Sequence, residues 1–356
     1  MSHPSGTVII SGGGTGGHFY PALAIAGFLR DSGYDVRYIG AKRGIEAEKL
    51  AKAPFPCYFL NAFGWNRKFL TIFKSIFFLV YNIFLSAMII RKADPEFVII
   101  TGGYASLSSG LAAAILGRKL YIQEQNAFPG LTNRILYFAA AKIFLGFPLS
   151  AFPFPFNLHS AASKLILSFN PVRPEFQEGP FERPKHVFFV GGSQGSQAIN
   201  DIFLRSKEIL LSRGYSITLA CGIRYYDAFK SQACDKITVK PYSEKIWEDL
   251  RSCRFVVSRC GASSLAELIR TSTVSVLVPY RISANNHQWH NAQVLERRMA
   301  AISVDESELD KIDWISLFNG LESRYNEYAK NIAALRMKSL DRDFFQVFVE
   351  ILGLKP

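Results

Sequence analysis

Val8-Ile9-Ile10-Ser11-Gly12-Gly13-Gly14-Thr15-Gly16-Gly17-His18 is a β-branched apolar run that ends in a glycine turn. Ala22, Leu23, Ile25, Ala26 and Leu29 follow at helical spacing. The order predicts strand, loop, helix. Glycines let backbone N–H groups close on a ligand, and a helix N-terminus adds partial positive charge, so an anion or an oxygen-rich substrate fits there. Val187-Phe188-Phe189-Val190 repeats the plan, running into Gly191-Gly192-Ser193-Gln194-Gly195-Ser196 and then Ile199, Ile202, Phe203, Ile209 and Leu210. Two such openings half a chain apart predict two similar α/β domains.

Gly12, Gly14 and Gly17 also satisfy G-x-G-x-x-G, a weak dinucleotide signal by itself. That reading wants an acid after the second strand, Val36–Gly40, to hold a ribose. Ala41-Lys42-Arg43-Gly44 stands there instead. Lys42 and Arg43 suit a 2′-phosphate, but a nicotinamide cofactor leaves His18, directly after the last glycine, unexplained.

The chain has 356 residues, 49% of them hydrophobic, enough for two ordinary cores. Its formal charge of +12 favours anionic partners. The basic residues are scattered rather than massed, which argues against nucleic acid. Five cysteines (Cys57, Cys221, Cys234, Cys253, Cys260) lack C-x-x-C spacing and read as reduced thiols. No secretory signal pattern opens the chain. His287 and His290 lie three apart without a third ligand, and Asp305, Asp310 and Asp313 do not make the Asp-x-Asp of a nucleotide–metal clamp. The expectation is no metal and no cofactor.

Helix and strand patterns alternate along the chain. In the first half a short helix (Gly44–Ala53), a strand (Cys57–Leu60) and a loop (Asn61–Lys68) lead to Phe69–Ile90. A strand (Phe97–Ile100), the turn Thr101-Gly102-Gly103-Tyr104 and a small-residue helix (Ser108–Gly117) follow. Then come a strand (Lys119–Gln123), Glu124-Gln125-Asn126, a helix (Leu131–Ala141) and a strand (Ile143–Phe147). Ala151–Ser163, with Pro153 and Pro155, and Asn170-Pro171-Val172-Arg173-Pro174 mark a hinge. Second-half strands are Val187–Val190, Ile217–Ala220, Ile237–Val239, Phe255–Ser258 and Val274–Val278, and Trp314–Leu352 is a helical tail.

Phe69–Ile90 carries one charge, Lys74, between Arg67-Lys68 and Arg91-Lys92. Length and hydropathy make it a transmembrane candidate. A crossover between strands of one parallel sheet must return to the same side, however, and there is no second span. Thr71, Ser75, Asn82 and Ser86 line one narrow helical face. Two readings stay open: a crossover helix buried on the sheet, or a partly exposed apolar face that dips into an anionic bilayer.

Taken in order, Gly13–His18, Gly102-Gly103-Tyr104, Glu124-Gln125-Asn126, Asn170–Arg173, Gly191–Gly195, Gly261–Glu267 and His287-Gln288-x-x-Asn291-Ala292 resemble the MurG family, lipid-linked N-acetylglucosaminyltransferases of peptidoglycan synthesis. The resemblance runs from about residue 7 to about residue 300. It implies a GT-B glycosyltransferase fold, α/β, with two Rossmann-like domains facing a cleft. Residues 1–168 would be the acceptor and membrane domain, 169–340 the UDP-N-acetylglucosamine domain, and 341–356 a helix crossing back to the first. The implied reaction moves N-acetylglucosamine from UDP to the C4 hydroxyl of undecaprenyl-diphospho-N-acetylmuramoyl-peptide (lipid I), with inversion, giving lipid II. The implied location is peripheral, on the cytoplasmic face of the bacterial plasma membrane. An anionic membrane surface and proteins of cell-wall synthesis, cell shape or division are the implied partners. UDP-sugar 2-epimerases share fold and donor and form the alternative. The chain departs from the family at Gln123, usually His, at Asn285, usually Asp, and at Ala105–Ser108, where Gly-Pro is more frequent.

Inverting transfer needs a base for the acceptor hydroxyl, a stabiliser for the departing diphosphate and alignment of both sugars. Histidine titrates near neutral pH, which makes His18 the base candidate. The family match implies that Thr15, Gly16 and Gly17 meet the acceptor diphosphate and donor sugar. It gives Arg173 and Ser193 to phosphates, and the helix opened by Ala262, Ser263, Ser264, Leu265 and Ala266 to the same phosphates. Glu267 is implied at the ribose hydroxyls, Asn126 and Gln288 at sugar hydroxyls and the N-acetyl group, and Ser243 at a backbone donor contact.

Overall fold

The computed structural model describes residues 6–42, 49–61, 69–150, 163–192 and 194–354, without the side chains of residues 69–75 and Ala284. The chain forms two compact units: residues 1–171 with 342–356, and residues 172–341. The loop 62–68, the first residues of the helix expected at Gly44–Ala53, and nearly all of Ala151–Ser163 lie outside the described residues.

Unit 1 holds β1 (Thr7–Gly12), α1 (Gly16–Asp31), β2 (Asp35–Ala41), β3 (Cys57–Leu60), α2 (Phe69–Ala93), β4 (Phe97–Gly102) and α3 (Tyr104–Ile115). β5 (Lys119–Glu124), α4 (Leu131–Leu136), β6 (Ala140–Leu145) and β7 (Leu165–Leu167) follow. The sheet order is β3-β2-β1-β4-β5-β6-β7, and every pairing is parallel. Val8, Ile9, Ile10, Val98, Ile99 and Ile100 are all fully buried, as strands covered on both faces must be. Phe19, Ala22, Ile25 and Leu29 of α1 cover one face, and α3 with Leu136 of α4 covers the other.

Two boundaries differ from expectation. The sequence suggests a helix to Ala141, but α4 stops at Leu136. Ala140 pairs with Leu120 in the sheet, and the turn bonds Ala139 N→Leu136 O and Ala140 N→Tyr137 O close the helix before it. The helix expected to open at Ser108 instead opens at Tyr104, directly after the glycine turn.

The long apolar helix α2 is oriented against its polarity. Asn82, Ser86 and Ile90 point inward and are buried. Phe77, Val80 and Phe84 point outward, 67%, 61% and 62% exposed, with Ile76, Tyr81 and Met88 beside them. Thus Asn82 and Ser86, two of the four polar-face residues, are the inner line, packed over α3. Small Ser86 lets the helices approach, and Asn82 Nδ2 donates to Asn61 O at 3.1 Å. Thr71 and Ser75 fall among the undescribed side chains.

The last helix, α12, runs over Phe344–Leu352 and belongs to unit 1. Asp343 caps it by accepting from Phe345 N at 3.0 Å. Phe344 and Phe348 are buried among Phe97, Tyr121 and Phe144, on the same sheet face as α1. Phe345 stacks on Phe28 at 4.6 Å.

Unit 2 repeats the winding with β8 (His186–Val190), α5 (Gln197–Ser212), β9 (Ser216–Ala220), α6 (Tyr226–Phe229), β10 (Ile237–Lys240) and α7 (Ile246–Ser252). β11 (Phe255–Arg259), α8 (Ala262–Arg270), β12 (Val274–Val278), α9 (His287–Glu296) and β13 (Ala301–Ser303) follow, then α10 (Trp314–Ser323) and α11 (Tyr325–Asp341). The parallel order is β10-β9-β8-β11-β12-β13. Buried Arg183 anchors the segment leading into β8, donating to the carbonyls of Leu250 (2.6 Å), Thr271 (2.5 Å), Cys253 and Ser272 (both 3.1 Å).

Candidate active site

In open α/β sheets ligands bind beyond the carboxyl ends of the strands, where the winding reverses. In unit 1 that point lies between β1 and β4, where the first turn of α1 carries His18 and the end of β4 runs through Thr101-Gly102 into Gly103. Gly102 has φ +104°, and a Cβ on it would stand 2.7 Å from His18 Nδ1. The imidazole therefore occupies the space that a side chain would take. Thr101 Oγ1 donates to His18 O at 2.7 Å and holds the backbone.

The His18 ring is half-buried, and its Nδ1 lies 2.9 Å from Thr101 O and 3.0 Å from Gln125 Oε1. Gln125 Nε2 donates to Thr101 O at 2.8 Å, to Gln123 O at 3.2 Å and to Gln123 Oε1, and these acceptors together fix which end of its amide faces the histidine. Both neighbours of Nδ1 are then acceptors. The neutral ring carries its proton on Nδ1, and Nε2 keeps the lone pair.

Thr15 and Gly17 are exposed and Gly16 is half-buried, at the opening of α1; Thr15 O accepts from His18 N and Phe19 N. Asn126 is fixed by Glu124, whose Oε1 accepts from Asn126 N at 2.9 Å and Nδ2 at 3.2 Å. The other oxygen, Oε2, accepts from Gly130 N and Asn133 Nδ2.

In unit 2 the reversal lies between β8 and β11, and a cavity of about 510 Å³ opens there. Its walls include Gly191, Gly192 and Ser196 after β8, Arg259 at the end of β11, and Ser264 and Glu267 in α8. Gly195 and Gly222 sit back to back: a Cβ on Gly222 would lie 2.2 Å from Gly195 Cα, and both have positive φ. The first amides of α8 have no acceptor within the helix, as at any helix start. Ser263 Oγ is buried and has no hydrogen-bond partner among the described residues. Ala262, Leu265 and Ala266 bury their side chains, so only their backbone is left for a ligand.

Glu267 is half-buried on the cavity wall. Burial pushes its carboxyl up to about 7, and the positive charge of Arg173 acts the other way. Arg173 itself is exposed, its guanidinium 5.1 Å from the Phe176 ring and 5.3 Å from the Trp247 ring, aromatic faces that orient it. Gln288 Oε1 accepts from Tyr280 N at 2.9 Å and Cys260 N at 3.3 Å, so its amide presents Nε2 as a donor. Ser243 is buried and its hydroxyl donates to Asp249. Ser193 lies outside the described residues.

Arg259 is a cavity residue that the sequence reading passed over. It pairs bidentately with Glu306, and its Nε donates to Ser196 Oγ at 2.8 Å. Its signal was a charge at the carboxyl end of the buried run Phe255–Ser258, just before a glycine turn. Among the described residues no group of three or more His, Cys, Asp or Glu side chains is placed to hold a metal.

Residues 8–145 match the glycosyltransferase family 28 N-terminal domain, and residues 186–343 the family 28 C-terminal domain. A curated relative from Moorella thermoacetica, the UDP-N-acetylglucosamine--N-acetylmuramyl-(pentapeptide) pyrophosphoryl-undecaprenol N-acetylglucosamine transferase, is 38% identical over 327 residues, 85% of this chain and 86% of the relative. The transferase of the same name from Coxiella burnetii is 34% identical over 352 residues, 92% of this chain and 94% of the relative. The crystal structure of Acinetobacter baumannii MurG superposes with a TM-score of 0.74 at 25% identity, covering 92% of this chain and 94% of that one. CalG4, the calicheamicin glycosyltransferase, shares the fold with a TM-score of 0.72 at 12% identity, over 99% and 98% of the two chains.

Two Rossmann-like parallel-sheet domains, each with a glycine-lined site where its winding reverses, define a GT-B glycosyltransferase. The chain belongs to glycosyltransferase family 28 and, within it, to the MurG family of UDP-N-acetylglucosamine-dependent transferases. The relatives' transferase naming does not favour the epimerase alternative.

Proposed function

We propose that this chain transfers N-acetylglucosamine from UDP to the C4 hydroxyl of lipid I, with inversion, to give lipid II. The observation that carries the mechanism is the pair of oxygens against His18 Nδ1. Nδ1 faces two acceptors, which supports a proton on Nδ1 and leaves Nε2 to act as the base. His18 takes the hydroxyl proton as the acceptor oxygen attacks the anomeric carbon, and the bond from that carbon to the diphosphate breaks on the opposite face. Arg173 and the amides opening α8 compensate the charge that gathers on the leaving UDP. Glu267 accepts from the ribose hydroxyls, and Gln288 Nε2 and Asn126 meet the sugar. Thr15, Gly16 and Gly17 offer backbone to the acceptor diphosphate, and Ser193 offers a hydroxyl to UDP.

The acceptor's polyprenyl chain stays in a bilayer, so the enzyme must work at the membrane surface, for which we infer peripheral attachment at the cytoplasmic face. The outward line Phe77, Val80 and Phe84 of α2 supports this reading, with exposed Arg91 and Lys92 at the helix end for anionic headgroups. Labelled UDP-N-acetylglucosamine incubated with a lipid I analogue tests the assignment. The expected result is label in the lipid product; release of an epimerised sugar without lipid labelling overturns it.

A further inference from the structure

The contacts behind His18 continue away from the reacting side. Gln125 Nε2 donates to Gln123 Oε1, Gln123 Nε2 donates to Asn170 Oδ1 at 2.9 Å, and Asn170 Nδ2 donates to Gln125 O at 3.0 Å. Gln123, Gln125 and Asn170 are all buried. Asn170 is the next-to-last residue before the chain leaves unit 1, and its amide fills the space above Gly146, where a Cβ would lie 2.0 Å from Oδ1. We infer that Gln123 and Asn170 are positioning residues which, through Gln125, fix the proton on His18 Nδ1 and so keep Nε2 available as the base.

The direction of the chain is dictated by donor and acceptor counting. Were the Gln125 amide reversed, its oxygen would face three oxygens: Thr101 O, Gln123 O and Gln123 Oε1. Its NH2 group would then confront Nδ1. Gln123 must accept from Gln125 and donate to Asn170 at once, which an amide can do and an aliphatic side chain cannot. Imidazole also has one donor and one acceptor nitrogen, so histidine can replace glutamine here. Among the described residues, the Thr101 carbonyl, Gln125 and the Gly102 backbone lie against the His18 ring, none of them ionisable. The nearby Glu124 carboxylate is committed to Asn126, Gly130 and Asn133.

This inference rests on His18 being the base, and the test separates the two. The full-length protein is made as wild type, Gln123→Met, Gln123→His, Asn170→Ala and His18→Ala. Two-bond proton–nitrogen NMR of the imidazole reads which ring nitrogen is protonated, and kcat/KM is followed against pH. Gln123→Met should populate the Nε2-protonated ring and lower kcat on the order of tenfold. The pH profile of kcat/KM should change together with the tautomer. Asn170→Ala should shift the tautomer in the same direction, and Gln123→His should restore the wild-type tautomer and profile. UDP affinity reports that unit 2 is intact in every variant, and near-UV circular dichroism that unit 1 is folded. If Gln123→Met folds and keeps the wild-type tautomer and pH profile while His18→Ala is inactive, the positioning role is wrong and the base survives. If His18→Ala turns over normally, the base reading falls, and the positioning role with it.

Discussion

Arg259 holds Glu306 with two parallel hydrogen bonds, NH2 to Oε1 at 2.8 Å and NH1 to Oε2 at 3.0 Å. Burial alone would raise the Glu306 carboxyl, but the hydrogen bonds from Arg259 and from the Arg281 backbone outweigh it and bring it below the usual range. Through Ser196 the same guanidinium reaches the glycine loop after β8. One side chain thus ties together separate walls of the unit 2 cavity. Arg259→Ala should weaken UDP binding about tenfold or more, roughly the loss of one charge-assisted hydrogen bond. Arg259→Lys should recover little, since an ammonium cannot make the bidentate fork. Calorimetric UDP titration checks both, and wild-type affinity in the lysine variant would speak against a cavity-shaping fork.

Glu267 gives a stability prediction with a definite sign. Its folded value of about 7 stands above the ordinary 4.5. Its contribution is therefore complete below about pH 4.5 and is lost as pH rises through about 7. Glu267→Gln, which cannot ionise, should melt higher than wild type near pH 8 without ligand, and the gap should shrink toward pH 4. A melting series across this range checks it; a gap that is constant with pH would show that the carboxyl is not the cause.

For the donor, Glu267→Ala should chiefly raise KM, by an amount corresponding to ~1.5–3 kcal/mol for charge-assisted bonds to the ribose. The mutant should bind UDP and a deoxyribose analogue almost equally. A preference for the ribose form as strong as in wild type would remove Glu267 from the ribose.

Replacing His18 with alanine should cut kcat by roughly 10²–10⁴-fold. UDP binding should hardly change, because the proposed UDP contacts belong to unit 2. Single-turnover kinetics with saturating donor and acceptor measure the first effect and equilibrium titration the second.

At the membrane surface, Phe77→Ser should weaken binding to anionic vesicles by on the order of 1.5–3 kcal/mol if the ring is fully inserted. Its melting temperature should hold, since the ring is 67% exposed in the folded chain. Activity on a short-chain soluble acceptor should persist. Ser86→Leu is the contrasting change: Ser86 is fully buried, and the larger side chain should destabilise unit 1. Vesicle sedimentation and thermal melts of both variants check the assignment of the two faces. Unfolding by Phe77→Ser would return that ring to the core.

The fold was legible because it rests on local signals. Val8–Gly12 and Val187–Val190 are apolar runs that stop at glycines, and such runs become buried parallel strands wherever they occur. For α2 the sequence left two readings open, a buried crossover helix or a partly exposed apolar face. Asn82 and Ser86 turn out to be the inner line packed over α3, with Phe77, Val80 and Phe84 left outside. Only that packing decides the orientation, because hydropathy alone does not say which face meets the neighbouring helix. The glycine loops and Glu267 could be read from spacing and family resemblance. The Arg259–Glu306 fork could not, because its partners are 47 residues apart and meet only when the strands align. Gln123 looked like a simple departure from the family; its donor and acceptor duties appear only when Asn170 is brought beside it.

Helix α12 has a consequence for how the molecule is made. Phe344 and Phe348 complete the sheet face that α1 begins, yet the whole of unit 2 is translated between them and the rest of that face. A nascent chain emerging from the ribosome can close the second domain while the first still exposes Phe97, Tyr121 and Phe144 to water or to a chaperone. The domain translated first is thus the one finished last.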